Sequence, residues 1–291
     1  MAKTGPGVVA QEHDDAGDAV NVRAAADRFL IDTHCHLDDP VFADDLNAVL
    51  AESRAAGVRA WIQVGFEPAR WGSSIALVER TPDMFLMLGV HPSSADQWSP
   101  EIEAELRSLI AGHDAVAVGE IGIDLFWDGN PPLDRQIAAF TAQLDLAREL
   151  GLPAVIHMRN AEPEVLAVLR AREPQPLLFH SFDGGSDLTD FILERGAYVG
   201  VGGLATKAKS ERLREQLVRI PLDRIVLETD SPYLIPARMR GRRNTPASVR
   251  RISEFLGTLR ATTDATVASI TTDNALRFFD HIRLSERVHL E

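Results

Sequence analysis

A chain of 291 residues, 45% apolar and 25% charged, has the length for a large buried core and an ordinary globular composition, which excludes a coiled coil, a small stapled scaffold and a wholly disordered chain. Thirty basic against forty-three acidic side chains leave a net charge of −13, which argues against a protein held to nucleic acid by a global basic surface but allows a local basic site. A single cysteine, Cys35, excludes an internal disulfide and fits a reducing compartment. With no apolar run of roughly 18 residues and no basic start followed by an apolar stretch, the sequence reads as cytoplasmic, with no membrane span.

Residues 1–27 open with Gly5, Pro6 and Gly7, continue polar and acidic, and hold no sustained period of 2 or 3.6, so a mobile leader is expected there. Residues 1–45 carry a net −7, ten acids against Lys3, Arg23 and Arg28. From Phe29 onward, short apolar runs alternate with amphipathic stretches: FLIDT, VRAWIQV, MFLMLGV, AVAVGE, LPAVIH, PLLFH, AYVGV and RIVLET. These runs are too continuous for half-exposed antiparallel strands, and most intervals are long enough for a crossover helix, the pattern of parallel strands buried on both faces. Gly57, Gly151 and Gly196 each stand where a glycine would end a helix before the next strand. Two further helices are expected at about 246–260 and 264–279. Eight strand–helix units predict an α/β fold, a single-domain (β/α)8 TIM barrel over 28–280, with 281–291 as a tail.

The polar residues recur at one place in this rhythm. His34 and His36 follow the first run, His91 the third, Glu120 the fourth, His157 the fifth, His180 the sixth and Asp230 the eighth. In a barrel the C-terminal strand ends form one mouth, so residues nearly two hundred positions apart would converge there. His34 and His36 share a face by strand alternation, while Cys35 between them points into the core. Imidazoles suit zinc or another transition metal, and the carboxylates extend the choice to magnesium and manganese. Six donors exceed the needs of one hydrolytic ion, and Glu120 can join two through its two oxygens, so a pair of divalent ions is expected. Such a pair activates water without a serine or cysteine nucleophile.

Substrate contacts are expected around this mouth. His91 sits in GVHP; Arg159, two residues after His157, is placed to clamp a phosphate. After the eighth run, SPYLIPARMRGRRNTP holds Arg238, Arg240, Arg242 and Arg243 without one acid, and the glycines Gly200, Gly202 and Gly203 follow the seventh run, where barrels often bind phosphate.

At these residues the sequence resembles the TatD family of metal-dependent DNases, within the amidohydrolase-like barrels. The resemblance runs through DTHCHLD at 32–38, GVHP at 89–92, GEIGID at 119–124, PAVIHMRNA at 153–161, HSFDG at 180–184, and ETDSPYL with RGRRNTP at 228–246. It implies that His34, His36 and Asp230 serve one ion, His157 and His180 a second, that Glu120 bridges them, and that Asp230 orients or deprotonates the attacking water. Leu125 departs from the Tyr usual after the GxD turn, Asn160 from a common Asp, and HSFDG from HCFSG. The expected function is hydrolysis of DNA phosphodiesters, working from the 3′ end of DNA, with no obligate protein partner. The alternative is an amidohydrolase or lactonase acting on a small amide or ester with the same metals, since one fold supports many reactions.

Overall fold

The computed structural model describes Met1 and residues 29–284. Apart from Met1, the expected leader lies outside the described residues, as does the tail from 285 onward. The strands are β1 (Leu30–Cys35), β2 (Val58–Gly65), β3 (Met84–Leu88), β4 (Ala117–Asp124), β5 (Ala154–Arg159), β6 (Leu177–Phe179), β7 (Tyr198–Val201) and β8 (Ile225–Leu227). They form one sheet in the order β1 to β8, every neighbouring pair parallel. The helices between and after them are α1 (Leu46–Ala55), α2 (Trp71–Arg80), α3 (Pro100–Gly112), α4 (Leu133–Leu150), α5 (Glu162–Arg170), α6 (Ser186–Arg195), α7 (Glu211–Arg219), α8 (Ser248–Leu259) and α9 (Asp264–Phe278). This is the (β/α)8 barrel that the alternating runs predict. Gly151 and Gly196 end α4 and α6 in the left-handed conformation, with φ of +68° and +65°, as a helix stop requires. None of the described helices is long and apolar enough to cross a membrane.

Two apolar layers hold the barrel. Ile31, Ile62, Val64, Met87, Val155, Leu178 and Val226 form one cluster with Phe278, Phe279 and Ile282 at the end of α9. The alternate strand positions, Leu30, Trp61, Leu88, Ile121, Ile156 and Phe179 among them, pack with residues of the surrounding helices. Cys35 belongs to this second layer, fully buried, with its thiol 3.4 Å from the Ile62 carbonyl, so it points away from its histidine neighbours. The N-terminal end is tied by α9: Thr272 donates to the Phe29 carbonyl, and Asn274 donates to the carbonyls of Leu222 and Ile225.

Closure between β1 and β8 occurs at the other end, among the residues of interest. The Asp230 N–H donates to the His34 carbonyl and the His36 N–H to the Ser231 carbonyl, both at 2.8 Å. Beneath them Asp32 is fully buried and accepts from the Thr229 hydroxyl (2.6 Å) and backbone N–H (2.9 Å). Burial pushes its carboxyl up to about 7 against those hydrogen bonds. Replacing Asp32 by Ala strands the buried Thr229 N–H, costing about 1–3 kcal/mol, while the Thr229 hydroxyl keeps the Ser231 hydroxyl as a partner. A loss of unfolding free energy of about 1–3 kcal/mol, read as a lower urea midpoint at unchanged slope, is expected; an unchanged midpoint would remove Asp32 from the closure.

Candidate metal centre

Strand registry aims the donors. Between β4 and β5, Gly119 pairs with Val155 and Ile121 with Ile156, so Glu120 is an extra residue, a bulge. Between β1 and β2 the registry also slips, from Asp32 opposite Trp61 to Cys35 opposite Gln63, across Thr33 and His34. Both irregularities fall at residues that feed the mouth, where a bulge re-aims a side chain that regular alternation would send elsewhere. β4 runs on past Glu120 to Asp124, close against β5: at Gly122, φ +149°, a Cβ would collide with the His157 carbonyl. Asp230 lies beyond β8 at φ +56°, a left-handed conformation that aspartate tolerates better than most residues, held by its bond to His34.

The structure brings six of the expected residues together, and Glu120 stands between two groups of them. Its Oε1 is 3.7 Å from Nε2 of both His34 and His36. Its Oε2 is 2.9 Å from His180 Nε2 and 3.2 Å from His157 Nδ1. On the Oε1 side, Asp230 Oδ1 is 3.2 Å from His36 Nε2 and 3.8 Å from His34 Nε2. The donor atoms of His34, His36 and Asp230 fall within 4.8 Å of one another, as do those of Glu120, His157 and His180. Glu120 and His180 are 4% and 6% exposed, and His34 is fully buried.

This donor set fits divalent metal. Both ring nitrogens of His34 and Nδ1 of His36 and His180 are buried without a hydrogen-bond partner, which an apolar surrounding would not tolerate for nothing. His157 Nδ1 and His180 Nε2 converge at 3.0 Å, an arrangement that suits lone pairs directed at one cation. Burial, helped by repulsion from His180, lowers His34 to about 4, so its imidazole is neutral and free to ligate. Burial alone would raise Glu120; His180, His157 and His34 outweigh it and hold the carboxyl well below its usual range. Asp230 is likewise lowered, the His36 hydrogen bond overcoming burial.

Two carboxylates that the strand-end pattern does not single out belong to this arrangement. Asp124 Oδ2 meets His157 Nε2 at 3.2 Å, leaving Nδ1 to face Glu120. Burial would lower His157, but its hydrogen bonds to the Asp124 and Glu120 carboxylates raise it to about 9. A carboxylate that fixes one ring nitrogen in this way orients the other toward a metal. The signal for it lies in GEIGID, an acid four residues after Glu120 on the same strand. Glu228 is fully buried; its Oε1 accepts from the Ser181 N–H at 2.5 Å, and it lies within 4.8 Å of donor nitrogens of His34 and His180. Gly200 leaves room for it, since a Cβ there would strike the Glu228 carboxylate, while Gly203 lies against the Leu234 carbonyl. The space beside these glycines, expected to face a phosphate, is filled by Glu228 and Leu234.

The remaining expected contacts scatter around the mouth. His91 Nε2 is 4.0 Å from Glu120 Oε2, and its Nδ1 accepts from the Ser93 N–H. Arg159 ends β5 with its guanidinium 3.7 Å over the Phe126 ring. Arg240 and Arg242 are exposed on the loop after β8, and neither pairs with an acid among the described residues. Arg243 lies on the same loop, bonded to Asp45 and the Val41 carbonyl and stacked over Phe42, so its charge is taken up in pinning the loop to the start of α1.

Comparison with known proteins identifies the family. The family described as TatD-related DNase matches residues 31–280. The uncharacterized metal-dependent hydrolase YabD of Bacillus subtilis (strain 168) is 33% identical over 252 residues, 86% of this chain and 98% of its own. The 3′-5′ ssDNA/RNA exonuclease TatD of Erwinia tasmaniensis is 33% identical over 259 residues, 86% of this chain and 100% of its own. Among solved structures, the TatD homolog YJJV of Escherichia coli K12 superposes with a TM-score of 0.79 at 30% identity, over 86% of this chain and 98% of that one. The barrel, the donor cluster at its mouth and these likenesses together make the chain a member of the TatD-related DNase family, a metal-dependent hydrolase.

Proposed function

We propose that the chain hydrolyses DNA phosphodiesters from the 3′ end with two divalent ions of magnesium, manganese or zinc. The observation that carries this reading is the division of the Glu120 carboxylate, one oxygen toward His34 and His36, the other toward His157 and His180. In this reading His34, His36 and Asp230 would hold one ion and His157 and His180 the other, with Glu120 serving both. Ions so held lower the pKa of water and offset charge on the attacking and leaving oxygens of a phosphodiester. Asp230, with Oδ1 turned into the site beside His36, accepts the proton of the attacking water. Asp124 keeps the His157 ring in place through its bond to Nε2. His91 and Arg159 contact the substrate on one side of the mouth, Arg240 and Arg242 on the other. Residues 28–280 are the catalytic unit in this reading, 1–27 a leader and 281–291 a tail, and the single buried cysteine suits the cytoplasm.

The test is end-labelled single-stranded DNA, its RNA equivalent and a lactone panel, each with magnesium, manganese and zinc, and products identified by mass. Mononucleotides released from the 3′ end of DNA are expected; lactone hydrolysis without nucleolysis would replace the reading with the small-substrate one.

Arg240 and Arg242 provide a second measurement. A phosphate contact releases counterions, so each one lost flattens the log–log dependence of single-strand affinity on salt by about 0.7. Replacing both by Ala is expected to reduce the slope by about 1.4 with metal content unchanged. An identical slope would take both arginines out of substrate binding.

A further inference from the structure

The loop after β4 carries three consecutive exposed apolar residues, Leu125, Phe126 and Trp127, at 39%, 44% and 59% exposure. An exposed apolar patch of this kind marks an interaction site more often than an accident of surface composition. It is built rather than loose. Trp127 stands edge-on to Phe126, with ring centres 4.7 Å apart, and Arg159 lies 3.7 Å over Phe126 and 5.4 Å from the Trp127 ring centre. The loop is fastened to the candidate metal centre through one side chain: the Phe126 N–H donates to Asp124 Oδ1 at 2.8 Å, and Asp124 Oδ2 meets His157. The Asp124 backbone is held in turn by Gln136, which accepts from its N–H at 2.8 Å, and by Asn130, which donates to its carbonyl at 2.9 Å.

We infer that Trp127, backed by Phe126 and Arg159, is a stacking platform for an unpaired nucleobase of single-stranded DNA entering the metal centre. The inference rests on the nucleic-acid reading above and deepens it. Phe126 already has a guanidinium on its face, while the more exposed indole offers surface for a flat ring. The occupant must match a π surface with a positive charge beside it, and a nucleotide supplies both a base and a phosphate. A base within a duplex has both faces covered by its neighbours, so the platform selects for single strands. Base–aromatic stacking tolerates any sequence, because every base presents a π face.

The experiment compares wild type, Trp127→Ala and Trp127→Phe, all loaded with metal, on a labelled single-stranded DNA and on the same strand with abasic residues in its last four 3′ positions. For the ordinary strand, Trp127→Ala is expected to raise KM about tenfold, with a smaller change in kcat, and Trp127→Phe to recover most of the loss. On the abasic strand the wild-type KM is expected to rise by a similar factor, and the gap between wild type and Trp127→Ala to close. A KM for Trp127→Ala equal to wild type on the ordinary strand, or a gap that persists on the abasic strand, overturns the platform and leaves the nuclease reading standing. Failure of wild type to cleave the ordinary strand with any of the three metals overturns the nuclease reading itself, and the platform with it.

Discussion

Protein stripped of divalent metal by a chelator, verified metal-free, is expected to lose DNA hydrolysis altogether and to recover it when magnesium, manganese or zinc is returned. The mouth of the barrel gathers four histidines and two carboxylates within a few ångströms, and the single cysteine packs in the apolar layer behind β1, where its thiol cannot act as a nucleophile. In the proposed reaction the nucleophile is water, whose pKa bound ions lower by many units, so that a carboxylate such as Asp230 can take its proton near neutral pH. Metal removal should also lower thermal stability. Glu120 is a buried carboxylate and Asp230 a half-buried one, and ions bound to the native state alone stabilise it by mass action. Undiminished hydrolysis in the metal-free protein would sink the two-ion proposal.

Glu120→Gln and Asp230→Asn are each expected to cut turnover by roughly 10²-fold or more, a loss at the scale of deleting a group that stabilises transition-state charge. The two should differ in metal content. A glutamine keeps the shape of Glu120 but offers one acceptor oxygen where the carboxylate offers two, so it can serve one side of the site and not both. Its stoichiometry is expected to fall toward one ion per chain. Asn at 230 removes a charge from one group only, and the backbone bond from residue 230 to the His34 carbonyl, which closes the barrel, does not involve the side chain. Circular dichroism should therefore be unchanged in both. Near-normal turnover at saturating metal in either variant would take that residue out of the proposed mechanism, and two ions bound by Glu120→Gln would take away its bridging role.

Periodicity makes the barrel legible in the amino-acid sequence. Each of the eight apolar runs is a strand, because a parallel strand covered on both faces has no polar side to interrupt it, and the glycines at 151 and 196 mark helix ends because few other residues adopt a left-handed backbone without strain. The gathering of His34, His36, Glu120, His157, His180 and Asp230 at one mouth also follows from sequence, once strand ends are known to share a face of the barrel. Those are properties of local pattern and of one topological rule. What local pattern does not encode is registry between strands that are far apart in the chain. The bulge at Glu120 depends on how β4 meets β5, and it decides that one carboxylate divides its oxygens between two groups of histidines. Asp124 and Glu228 acquire a role only through His157 and Ser181, partners 33 and 47 positions away. Arg243 looks like its neighbours Arg240 and Arg242 in sequence, yet Asp45 and Phe42, some two hundred residues earlier, take up its charge. Composition and spacing determined which residues could meet; the packing of β1 against β8 and β4 against β5 decided which atoms face each other, because a side chain's direction is set by the strand beside it.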